Sequence, residues 1–256
     1  MTGMSHPATS PLMKLSPTPI TRRLAAAAVV ACGALFGAPL ALACGTGGYS
    51  YAGLAATSPA FGIGATVTPL SSFGILSGHV AGWVGVGGPR QGPNGSNEWL
   101  QVGFSGFPEL TGNNIYYELA LPNRTPVYHQ IAANLPSGKP ARFAVLEMHN
   151  RPNVWRVWLN GSAVSGPITL PGSHGRWSPM ATAESWDGGT GGGCNDFLYR
   201  FHRVSIAHAP GGGWHGLSGG YPIGSPSTHL VRNNKAGSFL AAEGDLALRT
   251  LASFNP

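Results

Sequence analysis

Charge is what this sequence has least of: Asp, Glu, Lys and Arg together make up 9% of its 256 residues, against roughly 25% in an average soluble domain. A soluble helix needs a charged outer face, and helix interiors penalise glycine and proline, present here 39 and 22 times, so helix bundles and coiled coils are excluded. Charge-driven disorder is excluded too, because 43% of the residues are hydrophobic, with 7 Trp, 10 Phe and 7 Tyr to fill a core. Acids are few, which leaves a glycosidase, with its need for paired carboxyls, only Glu184 with Glu118 or Asp187 to draw on. The nine histidines form no His-Glu-x-x-His pattern, so neither a metal nor a cofactor is expected. His174, His202 and His208 remain as groups that could tune pH behaviour.

The one long uncharged run lies near the start. Lys14, Arg22 and Arg23 precede an Ala-rich stretch from Leu24 to Leu42 that closes with Ala41-Leu42-Ala43, the pattern of an export signal. Residues 1–43 are read as that signal, with 1–12 as an over-long start if Met13 opens it. Gly33, Gly37 and Pro39 interrupt the stretch and no charged stop follows, which argues against a membrane-spanning helix. Thr21-Arg22-Arg23-Leu24 fits twin-arginine export but lacks the Phe-Leu that usually follows, so the general secretory route is preferred. Leu40 stands one position too far from Cys44 for a lipoprotein signal. A secreted protein without a lipid anchor on Cys44 is the expectation.

Removal of the signal leaves 213 residues with 12 basic and 9 acidic side chains, a formal charge of +3. The basic residues are scattered from Arg90 to Arg249, so no nucleic-acid partner is expected. Cys32 departs with the signal, and Cys44 and Cys194 are expected to form one bridge, closing a loop of about 150 residues and contributing roughly 5 kcal/mol on the chain-entropy model. The competing arrangement is a lipidated Cys44 and a free Cys194. Nothing points to an oligomer, and a monomer is expected.

From Cys44 onward, short apolar segments alternate with Gly, Pro, Asn and Ser, as in sandwiches and barrels. Strands are expected at Gly62–Thr68, Val80–Val86, Glu98–Phe104, Asn114–Leu121, Val127–Ala133, Ala141–His149, Val154–Leu159, Met180–Ser185 and Leu198–Ile206. Asn160-Gly161 is a hairpin signal that turns Val154–Leu159 back into Ser162–Ile168. The sandwich domain is set at residues 44–224 and includes a Gly-rich stretch, 210–224, read as a long loop. Residues 225–256 are read as a C-terminal packing segment. Gly216-Leu217-Ser218-Gly219-Gly220 spells a serine-hydrolase elbow, but no strand precedes it and no His follows Asp245, so it is set aside.

Alternation divides the faces of three strands. Leu100, Val102 and Phe104 share one face, and Gln101, Gly103 and Ser105 the other. Thr182 shares a face with Glu184, and Glu118 shares one with Tyr116 and Ala120. Polar side chains among small neighbours describe a groove across a sheet.

These segments resemble the glutamic peptidases called eqolisins. Trp83-Val84-Gly85-Val86-Gly87 is similar to the family's Trp-Val-Gly-Ile-(Asp/Gly)-Gly strand, Leu100-Gln101-Val102-Gly103 to its Leu-Gln-x-Gly strand, and Tyr116-Tyr117-Glu118 to its Tyr-Glu strand. Ala181-Thr182-Ala183-Glu184 takes the place of the segment ending in the catalytic Glu. The resemblance implies an all-β fold, a two-sheet antiparallel β-sandwich of the concanavalin-like jelly-roll type, acting on a peptide or protein substrate. It further implies Gln101 and Glu184 as the catalytic pair, with Trp83 walling the cleft, Glu118 hydrogen-bonding near Gln101, and Tyr116, Thr182 and Trp186 beside them. Departures are plain: Ala-Thr-Ala-Glu replaces Trp-Ile-Val-Glu, Ser105 replaces an acid, Ala120 replaces a second Tyr, and the sequence pI is ≈ 9.6 rather than acidic.

A second reading is a non-catalytic, lectin-like sandwich. Asn153-Val154-Trp155-Arg156-Val157-Trp158-Leu159-Asn160-Gly161 resembles the Asn-Gly hairpin of such domains, and Trp155, Trp158 and Trp186 would stack on sugars. Aromatics two or three apart on a strand are more often core or hairpin packing.

Overall fold

The computed structural model describes residues 48–71, 74–190, 193–233 and 237–254. The expected signal at 1–43 lies outside the described residues, as does Cys44 and with it the expected Cys44–Cys194 bridge.

Sixteen strands and one helix are described: β1 (Tyr49–Ala55), β2 (Gly62–Pro69), β3 (His79–Gly88), β4 (Glu98–Gly106), β5 (Asn113–Ala120), β6 (Val127–Leu135), β7 (Ala141–Glu147), β8 (Val154–Leu159), β9 (Ser162–Ala163), β10 (Ile168–Thr169), β11 (Met180–Trp186), β12 (Phe197–Ala209), β13 (Gly212–Gly216), β14 (Tyr221–Gly224), β15 (Thr228–Arg232), β16 (Phe239–Glu243) and α1 (Asp245–Phe254). They form two antiparallel sheets. One runs β14-β1-β11-β3-β4-β5-β6; the other runs β10-β8-β7-β2-β12-β16-β15, with β9 paired to β8 and β13 to β12.

The alternation read from the sequence decides what lies between the sheets. Leu100, Val102 and Phe104 of β4, with Val80, Val84 and Val86 of β3, are buried against Phe143 and Val145 of β7 and Phe201 of β12. Phe104 meets Phe143 edge to face at 5.2 Å, joining the two sheets. Gly82 admits the Tyr199 ring so closely that a Cβ there would sit 2.6 Å from it. The Asn160-Gly161 turn forms with both residues at positive φ, 50° and 85°, and β8 turns back into β9 as expected.

Three features depart from the sequence reading. First, β1 was not expected, since Tyr-Ser-Tyr-Ala-Gly-Leu-Ala carries a glycine and few β-branched residues; it forms because β11 supplies a seven-residue register from Tyr49↔Trp186 to Ala55↔Met180. Second, the stretch 210–224 is not a loop: β13 pairs with β12 and β14 pairs with β1. Backbone pairing with an existing edge overrides low strand propensity there. Third, the segment from 225 is woven into the sandwich, because β16 lies between β12 and β15. Helix α1 then covers the outer face of that sheet through Ala247, against Leu198, Ala242 and Leu70.

The tryptophans of the lectin-like reading do not share a surface. Trp155 is fully buried between the sheets and donates its Nε1–H to Ser173 Oγ at 2.8 Å. Trp158 pairs across the sheet with Ala144, on the opposite face from Val145 and Val157, whereas Trp186 belongs to the other sheet. Sugar stacking by the three together is ruled out by this division of faces.

Glu98 opens β4 on its core side. It is fully buried, and among the described residues neither carboxyl oxygen has a hydrogen-bond partner. Burial pushes its pKa up from 4.5 to about 7, so the folded protein holds the proton more tightly than the unfolded chain. Below about pH 4.5 both states are protonated and nothing is lost; from there to about pH 7 the unfolded state alone ionises, and stability falls as pH rises. Urea denaturation of Glu98→Gln between pH 4 and 8 is expected to show a shallower decline over that window and a higher midpoint than wild type at pH 8. A wild-type decline that the substitution leaves intact would assign the pH dependence elsewhere.

Candidate active site

The groove read from the sequence lies on the outer face of the first sheet. Its floor follows from strand register. Across β11, β3 and β4, one row runs Met180–Gly85–Gln101, the next Thr182–Trp83–Gly103, and the third Glu184–Ala81–Ser105. Gln101 and Glu184 therefore flank β3 on the same face, with their partners on it four residues, roughly 13 Å of strand rise, apart. Trp83 stands between those partners. Both residues, with Trp83, line one cavity of about 700 Å³.

Small residues keep the floor open. A Cβ on Gly85 would lie 2.9 Å from Gln101 Cβ and 3.1 Å from the Trp83 ring. A Cβ on Gly103 would lie 2.6 Å from Trp83 Cα. Glycine at these two positions is what lets an amide and an indole stand side by side.

Gln101 is 8% exposed and donates Nε2–H to Tyr116 Oη at 3.1 Å. Tyr116 in turn stacks on Tyr128 at 4.9 Å, and the Tyr128 hydroxyl meets Ser105 Oγ at 2.9 Å. The hydroxyl from β6 thus occupies the neighbourhood of Ser105, where the resemblance implied an acid. Burial, and then the Glu184 charge, drive the Tyr116 phenol well above its usual range, and Tyr49 and Tyr51 are raised by the same two causes in the same order. These phenols stay protonated.

Glu184 is 6% exposed, with Oε1 3.4 Å from His79 Nε2. Glu118 lines the same cavity and accepts a hydrogen bond from Trp99 Nε1 at 2.8 Å. Its pKa is raised, first by burial and next by the charge of Glu184, while the Trp99 bond and His79 pull it down.

Two of the supporting residues stand elsewhere than the sequence reading placed them. Thr182 has the expected face but is fully buried, and its hydroxyl donates to Ala183 O, so it does not reach the cavity. Trp186 stands at the groove's end, packed on His79 at 5.7 Å and on Tyr49 at 6.2 Å, rather than in the lining. Tyr116 is buried behind Gln101 as its hydrogen-bond partner. Of the histidines weighed for pH behaviour, His174 sits on the buried Glu147 and His208 packs against His215, both away from the cavity.

Sequence reasoning missed His79, Tyr49, Tyr51, Trp99 and the wall Pro222–Gly224. His79 was within reach: it is four residues before Trp83, hence on the same face, but the strand was started at Val80. The wall was not, because β14 was read as loop. Among the described residues, no group of three His, Cys, Asp or Glu side chains converges to hold a metal.

No family model matches the chain, and no curated protein matches it. Solved structures do match. Scytalido-glutamic peptidase bound to a transition-state analogue inhibitor aligns at 15% identity and a TM-score of 0.52, over 78% of this chain and 98% of that one. The same peptidase with a peptide-based analogue gives 16% identity and 0.51, over 77% and 98%. The carbohydrate-binding module CBM66 from Bacillus subtilis gives 11% identity and only 0.31, over 61% and 80%, too loose to bear on the fold. The relation to the glutamic peptidase is a distant structural one, and what it shows is the two-sheet antiparallel β-sandwich.

Filling the floor should close the site. Gly85→Val is expected to destabilise the fold by about 1–3 kcal/mol and to abolish binding of any ligand that contacts Gln101, read by chemical denaturation and by titration of a peptide ligand. A variant that binds and folds like wild type would show that the floor is not as tight as the 2.9 Å approach implies.

Proposed function

We propose that this protein is a secreted endopeptidase of the glutamic type, hydrolysing peptide bonds with Glu184 and Gln101. One observation carries the reading: an amide and a carboxylate, each more than nine-tenths buried, open from strands on either side of β3 onto a single cavity. The fold shared with scytalido-glutamic peptidase supports it.

The chemistry follows from those two groups. An extended peptide lies along the groove with its scissile carbonyl over Trp83, between Gln101 and Glu184. Glu184 takes a proton from a water as that water's oxygen bonds to the carbonyl carbon, and the carbonyl π electrons move to oxygen. Gln101 donates Nε2–H to the developing oxyanion, held in place from behind by Tyr116. Collapse of the tetrahedral intermediate breaks the C–N bond, and the proton held by Glu184 passes to the leaving amine. The carboxylate is regenerated, and neither a covalent intermediate nor a cofactor is needed. Tyr49, Tyr51 and Ile223 form one wall for substrate side chains, and Trp99 and Pro89 the other end. We infer export by the general secretory route from the reading of residues 1–43, and action as a monomer because no feature of the sequence calls for an oligomer.

Cleavage of an unfolded protein from pH 2 to 8 tests this. Wild type is expected to be active without inhibition by EDTA or serine-directed reagents. Glu184→Gln should lose about 10²–10⁴ in rate, and Gln101→Ala about 10²–10³, with circular dichroism unchanged in both. Folded wild type inactive across the whole range would overturn the peptidase reading and leave a binding protein, to be tested on glycan arrays.

A further inference from the structure

The cavity holds one basic side chain among its lining residues, His79. It opens β3 opposite Trp186 of β11 and, with a side chain 21% exposed, reaches one row across to Glu184. Three aromatic rings surround it: Trp186 at 5.7 Å, Phe107 at 5.9 Å and Tyr49 at 6.0 Å, inclined to the imidazole by 49° to 63°. Rings on three sides, from β11, the segment after β4, and β1, restrict rotation of the imidazole. Its remaining direction points Nε2 at Glu184 Oε1, 3.4 Å away.

Among the described residues, the other oxygen of Glu184 has no hydrogen-bond partner, which leaves it for the cavity. Groups facing His79 are few. Glu184 approaches from β11, Tyr49 from β1, and Glu118 from β5 lies within electrostatic reach. Asp187, next to Trp186, lies on the other side of the sheet with Ser50, Ser185 and Glu243. Among the described residues, no lysine or arginine lines this cavity.

We propose that His79 is a positioning residue for Glu184: the caged imidazole fixes one carboxylate oxygen and turns the other toward the reacting water. The effect on rate rests on the peptidase reading; the pairing rests on geometry alone. A carboxylate held by one oxygen keeps the other aimed in a fixed direction, which is what a base that must meet a single positioned water requires.

Two variants test this, His79→Gln, which keeps an N–H donor, and His79→Phe, which keeps the ring packing without a donor. With folding confirmed by circular dichroism, His79→Phe is expected to lower kcat about 10–100-fold with KM little changed, the size of effect that misplacing a catalytic group by about 1 Å produces. His79→Gln should recover most of that rate. Identical rates in all three proteins would overturn the proposal. Independently of activity, nitrogen-15 spectra of the wild-type ring should show an Nε2–H resonance slowed in exchange with water, and Glu184→Ala should abolish it. A resonance unchanged in that variant overturns the pairing itself. Folded wild type without peptidase activity, but with the resonance lost in Glu184→Ala, would overturn the reaction and the rate role together while keeping the pair.

Discussion

Everything in the groove depends on how closely β3 lets its two neighbours approach. Its core face carries Val80, Val84 and Val86, which are buried against the second sheet, while its outer face offers Ala81 and Gly85 opposite Glu184 and Gln101. Small residues opposite long ones leave the long ones free to rise from the sheet. Trp83, between them, is the large side chain at the middle of that face and becomes the floor against which both stand. A strand with β-branched residues on both faces would pack equally well with its neighbours and have no cavity.

The polar groups of the groove are held in pairs by aromatic partners. Gln101 leans on Tyr116, Glu118 on Trp99, and Glu184 on a histidine walled by three rings. Aromatic side chains with a polar tip supply both low-dielectric packing and a hydrogen bond, so Gln101 and Glu118 are held without additional charge. This fits a chain with few acids and bases to spend. It also explains how Ser105 can stand where the resemblance implied a carboxylate: the Tyr128 hydroxyl from β6 reaches it, and Asn114 bonds Gln130 beside it.

The three glutamates Glu243, Glu147 and Glu98, buried away from the groove, differ in what they meet. Glu243 receives Ser50 and Ser227 hydroxyls at 2.8 and 2.6 Å, and Glu147 meets the His174 ring. Glu98 has no such partner, and its response is a raised pKa rather than a bond. The carboxyls thus divide by what the neighbouring loops bring to them, which composition does not reveal.

Alternation was enough to identify the strands that matter most. Period-2 patterning separated Leu100, Val102 and Phe104 from Gln101, Gly103 and Ser105, and the same rule put Glu184 and Glu118 on polar faces, because side chains of a strand alternate whatever the strand pairs with. Asn160-Gly161 likewise fixed a hairpin, since its positive φ angles are a local property. Strand neighbours and registers are not local. Only pairing with β11 makes a strand of Tyr49–Ala55, only the edge of β1 makes one of the low-propensity segment Tyr221–Gly224, and only the insertion of β16 beside β12 ties the C-terminal segment into the sandwich. The meeting of Gln101, Glu184 and His79 is of that second kind: each residue's face could be read along its own strand, but their convergence on one cavity was decided by which strands lie side by side and in what register.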